Sequence, residues 1–270
     1  MMITRIRDGL GWRLRLWRRR AYLSRSFRNG LELARAYAHK HPCGRAVLWD
    51  GTTFRHPPDR TGLAETILEI WYDGVYTGSF YRPRPGDTVI DAGANVGLFA
   101  VWLARRHPRV QVLAFEPFEE NHRLLEENAR AARVTNVTAH RAGLGGTTGR
   151  GQMEAVGARS LDHRMRAGAE GADGSVPVYS FAAALRLAGA ERVALFKIDI
   201  EGSEAELFER AEPAGLAKVD RFAIEYHDHV RAGTSDLIAA KLAGTHEVAV
   251  RPCGPTYGMI YATLKGGARA

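Results

Sequence analysis

Two groups of residues have types and spacing that could do chemistry. The first is the run Asp91-Ala92-Gly93-Ala94-Asn95-Val96-Gly97, and the second is a set of acids and imidazoles, Asp199 and Glu201 followed by Glu225, His227, Asp228 and His229. In the first group, glycines at a strand-to-helix turn let the backbone bend tightly and approach a ligand with no Cβ in the way. Glu116 follows Gly97 by nineteen residues and ends the next apolar run, Val110–Phe115. An acid in that position accepts hydrogen bonds from both hydroxyls of a ribose, so the pair of features points to an adenosine-containing ligand.

The choice among adenosine cofactors turns on Asp91. A nicotinamide-binding loop reads Gly-x-Gly-x-x-Gly, whereas here Gly93 is followed by Asn95 and Gly97, and a carboxylate stands at the strand end. That carboxylate would oppose a pyrophosphate but can pair with an amino-acid ammonium, which favours S-adenosylmethionine over NAD. Asp91, Gly93, Asn95, Gly97 and Glu116 are therefore the expected cofactor residues.

The second group reads as the reacting end. Ala194–Ile198 is a buried strand leading to Asp199 and Glu201, and Ala223–Glu225 leads to His227 and its neighbours. Ligands of open α/β sheets bind beyond the carboxyl ends of strands, so these polar residues should converge on the methyl donor. His227 is the first choice of general base because imidazole titrates in the working pH range; Asp199 would orient an acceptor hydroxyl or hold the base, with Glu225 close by. The plainer readings are that Asp199 and Glu201 cap the helix starting near Ser203, that Glu204 belongs to its first turn, that Lys197 pairs with a neighbouring carboxylate, and that His227 and His229 are solvated. No metal site is assigned; Asp199, Glu225 and His227 around Mg²⁺ is the disfavoured alternative.

These residues need a scaffold, and the hydrophobic pattern supplies one. Strand-like runs at 88–92, 110–115, 137–141, 193–199 and 219–227 alternate with helical periods at 96–106, 118–132, 180–187, 203–211 and 235–242, and a strand pair, 247–251 and 257–264, closes the chain. This alternation specifies a doubly wound α/β sheet of parallel strands. Upstream, Val47-Leu48-Trp49 and Thr52-Thr53-Phe54 flank Asp50-Gly51 as a two-residue hairpin, and 63–72 has helical spacing. The expected organisation is a basic helical arm over 1–45, a hairpin and helix over 46–86, and the main domain over 87–270, with an irregular insertion or flap at 143–175.

Taken together, Asp-Ala-Gly-Ala-Asn-Val-Gly-Leu-Phe at 91–99, Glu116-Pro117, and Lys197-Ile198-Asp199-Ile200-Glu201-Gly202-Ser203-Glu204 resemble the FkbM-type methyltransferases, class I S-adenosylmethionine enzymes, over roughly residues 47–264. The resemblance implies a Rossmann-like seven-stranded sheet with an antiparallel last strand. It also implies O-methylation of a hydroxyl on a sugar, glycolipid or other natural product. Where that family carries an acid shortly after a position like Val178, this chain has Tyr179-Ser180-Phe181-Ala182.

Charge is concentrated at one end. Residues 1–30 hold nine arginines, at 5, 7, 13, 15, 18, 19, 20, 25 and 28, against Asp8 alone, which accounts for the whole net charge of +8. The remainder is neutral, which argues against a nucleic-acid acceptor; methylation of RNA or protein, or a non-catalytic cofactor-binding scaffold, are the competing readings. Ile3, Ile6, Leu10, Leu14, Trp17 and Ala21 make one apolar stripe among these arginines, expected to pack on the body or on a second subunit, with peripheral contact to an anionic membrane as the alternative. Arg13 and Arg15 interrupt any signal-like apolar run, so a cytoplasmic address is the default. Cys43 and Cys253 lack metal-ligand spacing and are expected to be reduced thiols.

Overall fold

The computed structural model describes residues 2–155, 163–167 and 175–266, with side chains described over 11–152 and 175–266. Two compact units emerge, Met1–Gly78 with Arg130–Ala132, and Ser79–Ala129 with Arg133–Ala270. The arm and the hairpin segment, separated at residue 45 by the sequence reading, thus fall in one unit whose boundary lies at 78 rather than 86.

In the first unit, helix α1 (Met2–Ser26) is followed by α2 (Gly30–His39), strands β1 (Arg45–Val47) and β2 (Thr53–Arg55), and α3 (Leu63–Ile67), which continues as a π-helical turn, Leu68–Tyr72. Asn29 ties the helices to the hairpin: its Oδ1 accepts from Val47 N at 2.9 Å and its Nδ2 donates to Arg45 O at 3.0 Å. Leu23, Phe27, Leu33, Phe54, Leu63 and Ile67 form the buried interior, with Trp71 stacked on Phe27 and edge-on to Phe54. The hairpin turn is longer than expected. Leu48 N bonds Thr52 O at 2.8 Å, leaving Trp49, Asp50 and Gly51 in the loop, and Gly51 takes the left-handed conformation (φ +89°) that such three-residue loops require.

The second unit holds β3 (Thr88–Ala92), α4 (Leu98–Arg106), β4 (Gln111–Phe115), α5 (Glu119–Ala131), β5 (Val137–His140), β6 (Gly143–Leu144), β7 (Gly149–Ala155), β8 (His163–Ala167), β9 (Val176–Tyr179), α6 (Phe181–Ala188), β10 (Leu195–Ile198), α7 (Glu204–Glu209), α8 (Pro213–Leu216), β11 (Arg221–His227), α9 (Thr234–Ala243), β12 (His246–Pro252) and β13 (Tyr257–Leu264). Seven of these strands form one sheet in the order β12-β13-β11-β10-β3-β4-β5. Strands β5, β4, β3, β10 and β11 are parallel, and β13 runs antiparallel between β11 and β12. Strands β3 and β10 are buried along their whole length, as parallel strands covered on both faces must be. Phe181, Phe196 and Phe222 stack in the core, with Phe208 edge-on to Phe222.

The chain winds outward from β3 through β4 to β5, then returns to the other side of β3 as β10. The order therefore reverses between β3 and β10, and the crevice beyond their carboxyl ends is where such sheets bind ligands. Residues 143–175 correct the expectation of an irregular insertion. Their described part forms, together with β9 just after it, a second sheet, order β6-β9-β7-β8, because backbone pairing of Gly151 with Ala167 through Ala155 with His163 satisfies the peptide groups where side-chain periodicity gives no sign of a strand. Residues 156–162 and 168–174 lie outside the described residues.

Candidate active site

The glycine loop lies at the carboxyl end of β3. Gly93 N and Ala94 N both donate to Phe115 O at 3.0 Å, and three successive odd residues are left-handed: Gly93 (φ +74°), Asn95 (φ +49°) and Gly97 (φ +82°). Glycine is needed at 93 for a second reason. A Cβ there would lie 1.6 Å from the carbonyl oxygen of Asp199, so the loop and the end of β10 are in backbone contact. Asn95 is tolerated because its side chain satisfies the local backbone, Oδ1 accepting from Val96 N at 2.7 Å.

Glu116 stands beside this loop, since Ala92 and Phe115 are partners across β3 and β4. Its Oε2 accepts from Asn95 N at 2.8 Å and its Oε1 from Phe118 N at 2.9 Å. The carboxylate therefore braces the loop, and with Asn121 as a third donor it keeps acceptor capacity for a hydroxyl. Burial pushes its pKa up to about 7 against the pull of those two backbone donors and of Asn121. A carboxylate acceptor next to a close-approach glycine turn fits the ribose diol of S-adenosylmethionine.

Asp91 has a different role from the one expected of it. Its side chain is fully buried and ion-paired with Lys197 Nζ at 2.9 Å, so it faces a lysine rather than the cofactor's ammonium. The physical reason is register: Lys197 is the direct partner of Asp91 across β10 and β3, and a carboxylate sealed there without a cation would carry a large desolvation penalty. Lys197 Nζ also donates to Gly93 O at 2.7 Å, clamping the loop from below. Burial lowers the lysine's pKa, but Asp91, Asp199 and Glu225 outweigh it and hold the cation charged; burial raises Asp91 against the opposing pull of Lys197. Three acids thus hold Lys197 as a cation beside Asp91.

The acid–imidazole cluster lies at the ends of β10 and β11. His227, only 6% exposed, bonds Glu204 Oε1 through Nδ1 at 2.9 Å and places Nε2 3.5 Å from Glu201 Oε2. Glu204 is fully buried, and its Oε1 also accepts from Gly202 N at 3.1 Å and Ile200 N at 3.3 Å. Burial opposes protonation of His227, yet Glu204, Asp199 and Glu201 overcome it and bring its pKa to about 9. Glu201 is pushed up by burial and by Asp199, with His227 pulling the other way. Glu201 is held at φ +51°, a conformation uncommon outside glycine and often kept at working sites by surrounding structure.

Asp199, Glu201 and His227 each offer a ligand atom within 4.8 Å of the others, so they could together hold a divalent cation. That trio replaces the one drawn from sequence: Glu201 takes the place of Glu225. Glu225 shares a strand face with His227 two residues away and acts on Lys197 and Glu201 through its charge. Asp228 points to a structural task, with Oδ1 accepting from Ser235 N at 2.9 Å and Oδ2 from Ser235 Oγ at 2.8 Å. The residue that sequence reasoning missed is Glu204. It does open α7, as its position suggested, but the side chain turns back to His227. In the Tyr179-Ser180-Phe181-Ala182 stretch, Ser180 caps α6 by accepting from Ala183 N, and Phe181 enters the core.

The strand order, the antiparallel β13 and the glycine loop beside Glu116 define a Rossmann-like α/β fold of the S-adenosylmethionine methyltransferase class. The model of the methyltransferase FkbM domain matches residues 91–243, more than half of the chain, and the chain belongs to that family. Among curated relatives, AMB antimetabolite synthetase AmbE of Pseudomonas aeruginosa is 30% identical over 211 residues, 63% of this chain and 10% of that protein. The 31-O-demethyl-FK506 methyltransferase FkbM of Streptomyces tacrolimicus is 38% identical over 86 residues, 32% of this chain and 32% of that protein. The chain thus spans well under two thirds of the length of these relatives. Among solved structures, M. jannaschii TYW2 in complex with AdoMet aligns with a TM-score of 0.42 at 14% identity, covering 82% of this chain and 85% of that one.

Proposed function

We propose that this chain transfers the methyl group of S-adenosylmethionine to a hydroxyl of a small-molecule acceptor, a sugar, glycolipid or other natural product. One observation carries the reading. A buried carboxylate, Glu204, grips Nδ1 of His227 and leaves Nε2 directed at the Asp199–Glu201 side, in a cluster whose Asp199 backbone touches the cofactor loop at Gly93. The cofactor supplies a methyl carbon made electrophilic by its sulfonium. Glu116, Asn95 and the glycines at 93 and 97 hold its nucleoside end. Asp199 accepts a hydrogen bond from the acceptor hydroxyl and aligns it, and His227 Nε2 takes the proton as the oxygen–carbon bond forms and the carbon–sulfur bond breaks, its electron pair leaving with the neutral thioether. Glu204 stabilises the resulting imidazolium and fixes the ring, as an acid does behind a catalytic histidine elsewhere.

The test is incubation of the protein with methyl-labelled cofactor and a panel of hydroxylated glycans, glycolipids and polyketides, with products read by mass spectrometry. Label on a hydroxyl oxygen supports the reading, and label found only on nitrogen, RNA or protein removes it. The 4.8 Å grouping of Asp199, Glu201 and His227 favours one second reading, in which Mg²⁺ or a similar ion acidifies the hydroxyl. Loss of turnover with a chelator, restored by the metal, would select it.

A further inference from the structure

Helix α1 has two apolar faces; one is buried at its carboxyl-terminal end, though Trp12 on that side is 58% exposed, and the other is open. At 3.6 residues per turn, Leu16, Leu23 and Phe27 fall on one line and Leu14, Trp17 and Ala21 on another, about a third of a turn away. Leu23 and Phe27 are buried in the first unit, Phe27 against Trp71. Leu14 is 48% exposed and Trp17 62% exposed, so the second line is unpartnered. In sequence, Ile3, Ile6 and Leu10 continue its spacing, but their side chains lie outside the described residues.

The arginines are sorted by the same geometry. Arg19, on the inner side, pairs with Asp73 and donates to Tyr37 Oη at 3.2 Å. Arg13 and Arg20 border the outer stripe on one side, Arg18 and Arg25 on the other, and all four are exposed. None of these four guanidinium groups forms an ion pair among the described residues. An apolar stripe containing a tryptophan, bordered on both sides by cations, matches the section through an anionic bilayer surface: rings and methyls enter the acyl boundary, and long arginine stems carry their heads up to the phosphates. A second copy of this face fits poorly, since two-fold pairing would set arginine borders against each other. A nucleic acid would match the arginines but leave Leu14 and Trp17 in water.

We propose that the outer face of α1 lies on an anionic lipid bilayer, with Leu14 and Trp17 inserted and Arg13, Arg18, Arg20 and Arg25 on the headgroup phosphates. This placement stands independently of the reaction the second unit performs. It is tested by co-sedimentation of the full chain with phosphatidylcholine vesicles containing about one third phosphatidylserine, and with phosphatidylcholine alone, between about 0.1 and 0.5 M salt. The chain is expected to bind the anionic vesicles, to bind the neutral ones at least about tenfold more weakly, and to release as salt rises. Leu14→Ser/Trp17→Ser should lose anionic binding by about tenfold or more at an unchanged melting temperature, because both residues are exposed. Replacing the four arginines by glutamine should remove the preference for anionic lipid. Absence of vesicle binding, equal binding to neutral vesicles, or full binding by the Leu14→Ser/Trp17→Ser variant overturns the proposal. Sedimentation of a dimer that this variant splits would give the face to a second copy, and salt-sensitive RNA retention indifferent to the variant, without vesicle binding, would give it to nucleic acid.

Discussion

Gly93 and Asp199, more than a hundred residues apart in sequence, meet so closely that a β-carbon on the first would lie 1.6 Å from the carbonyl oxygen of the second. This is the contact through which the cofactor loop and the acid–imidazole cluster share one crevice. Asp199 N also bonds Ala92 O at 3.0 Å, so backbone contacts lace the two strand ends together beside the Lys197 side chain.

Gly93→Ala must therefore open that contact as well as hold alanine at φ +74°. A destabilisation of at least about 2 kcal/mol is expected, together with loss of cofactor binding. Denaturant melts and calorimetry check it; an alanine variant that binds S-adenosylmethionine normally would contradict the packing described.

Catalysis should separate from binding at the other end of the crevice. His227→Ala and Asp199→Asn are each expected to lower turnover about 100-fold while leaving cofactor affinity near normal. Glu204→Gln keeps the shape but removes the charge behind the imidazole, so the pH dependence of its residual activity should shift toward lower pH. Parallel rate profiles and cofactor titrations decide; a pure loss of folded protein would not move the profile.

The raised pKa of His227 sets the direction of the pH effect. With the imidazole protonated below about 9, the free base is scarce at neutral pH, and turnover should climb from pH 7 and level off above about 9. Its effect on stability has the opposite sense. The folded value exceeds the ordinary 6.5, so the contribution is complete below pH 6.5 and fades as pH rises through about 9. The melting temperature should fall across that window in the parent protein and less so in His227→Ala. A flat rate profile would remove His227 as the base.

Glu116 should couple cofactor affinity to pH near neutrality. Its carboxyl is protonated below about 7, and the neutral form has a hydrogen where a ribose hydroxyl needs an acceptor. Affinity measured by calorimetry should weaken as pH falls from 8 to 6, by up to about tenfold. Glu116→Ala should abolish this dependence and weaken binding by about 2 kcal/mol at pH 8, and by less at pH 6, where the parent carboxyl is already largely protonated. An unchanged affinity in the variant would exclude the ribose contact.

Much of the fold was legible because it rests on local chemistry. The alternation of apolar periods from Thr88 to Leu264, the glycine turn at 93–97 and the acid ending β4 all declare themselves within a few residues. The second sheet was not legible, since its strands are rich in glycine and charge and are defined by backbone pairing such as Gly149 with Val178 rather than by side-chain pattern. The hairpin was recognised from Asp50-Gly51, but one further residue in its turn depends on the Leu48–Thr52 bond.

The candidate site divides along the same line. Sequence alone determined which residues gather at the carboxyl ends of β3, β4, β10 and β11, because strand direction follows from the βαβ order and residue type from the chain itself. It also determined where the charge lies. Only the tertiary structure decided the partners. Asp91 turned from cofactor ligand to buried counter-ion because β10 brings Lys197 directly opposite it. Glu204 turned from helix-opening residue to the anchor of His227 because α7 and the end of β11 pack closely enough to bury both side chains, with Oε1 2.9 Å from Nδ1. Pairings of this kind depend on register and burial across a sheet, and neither quantity is written in the spacing of a linear sequence.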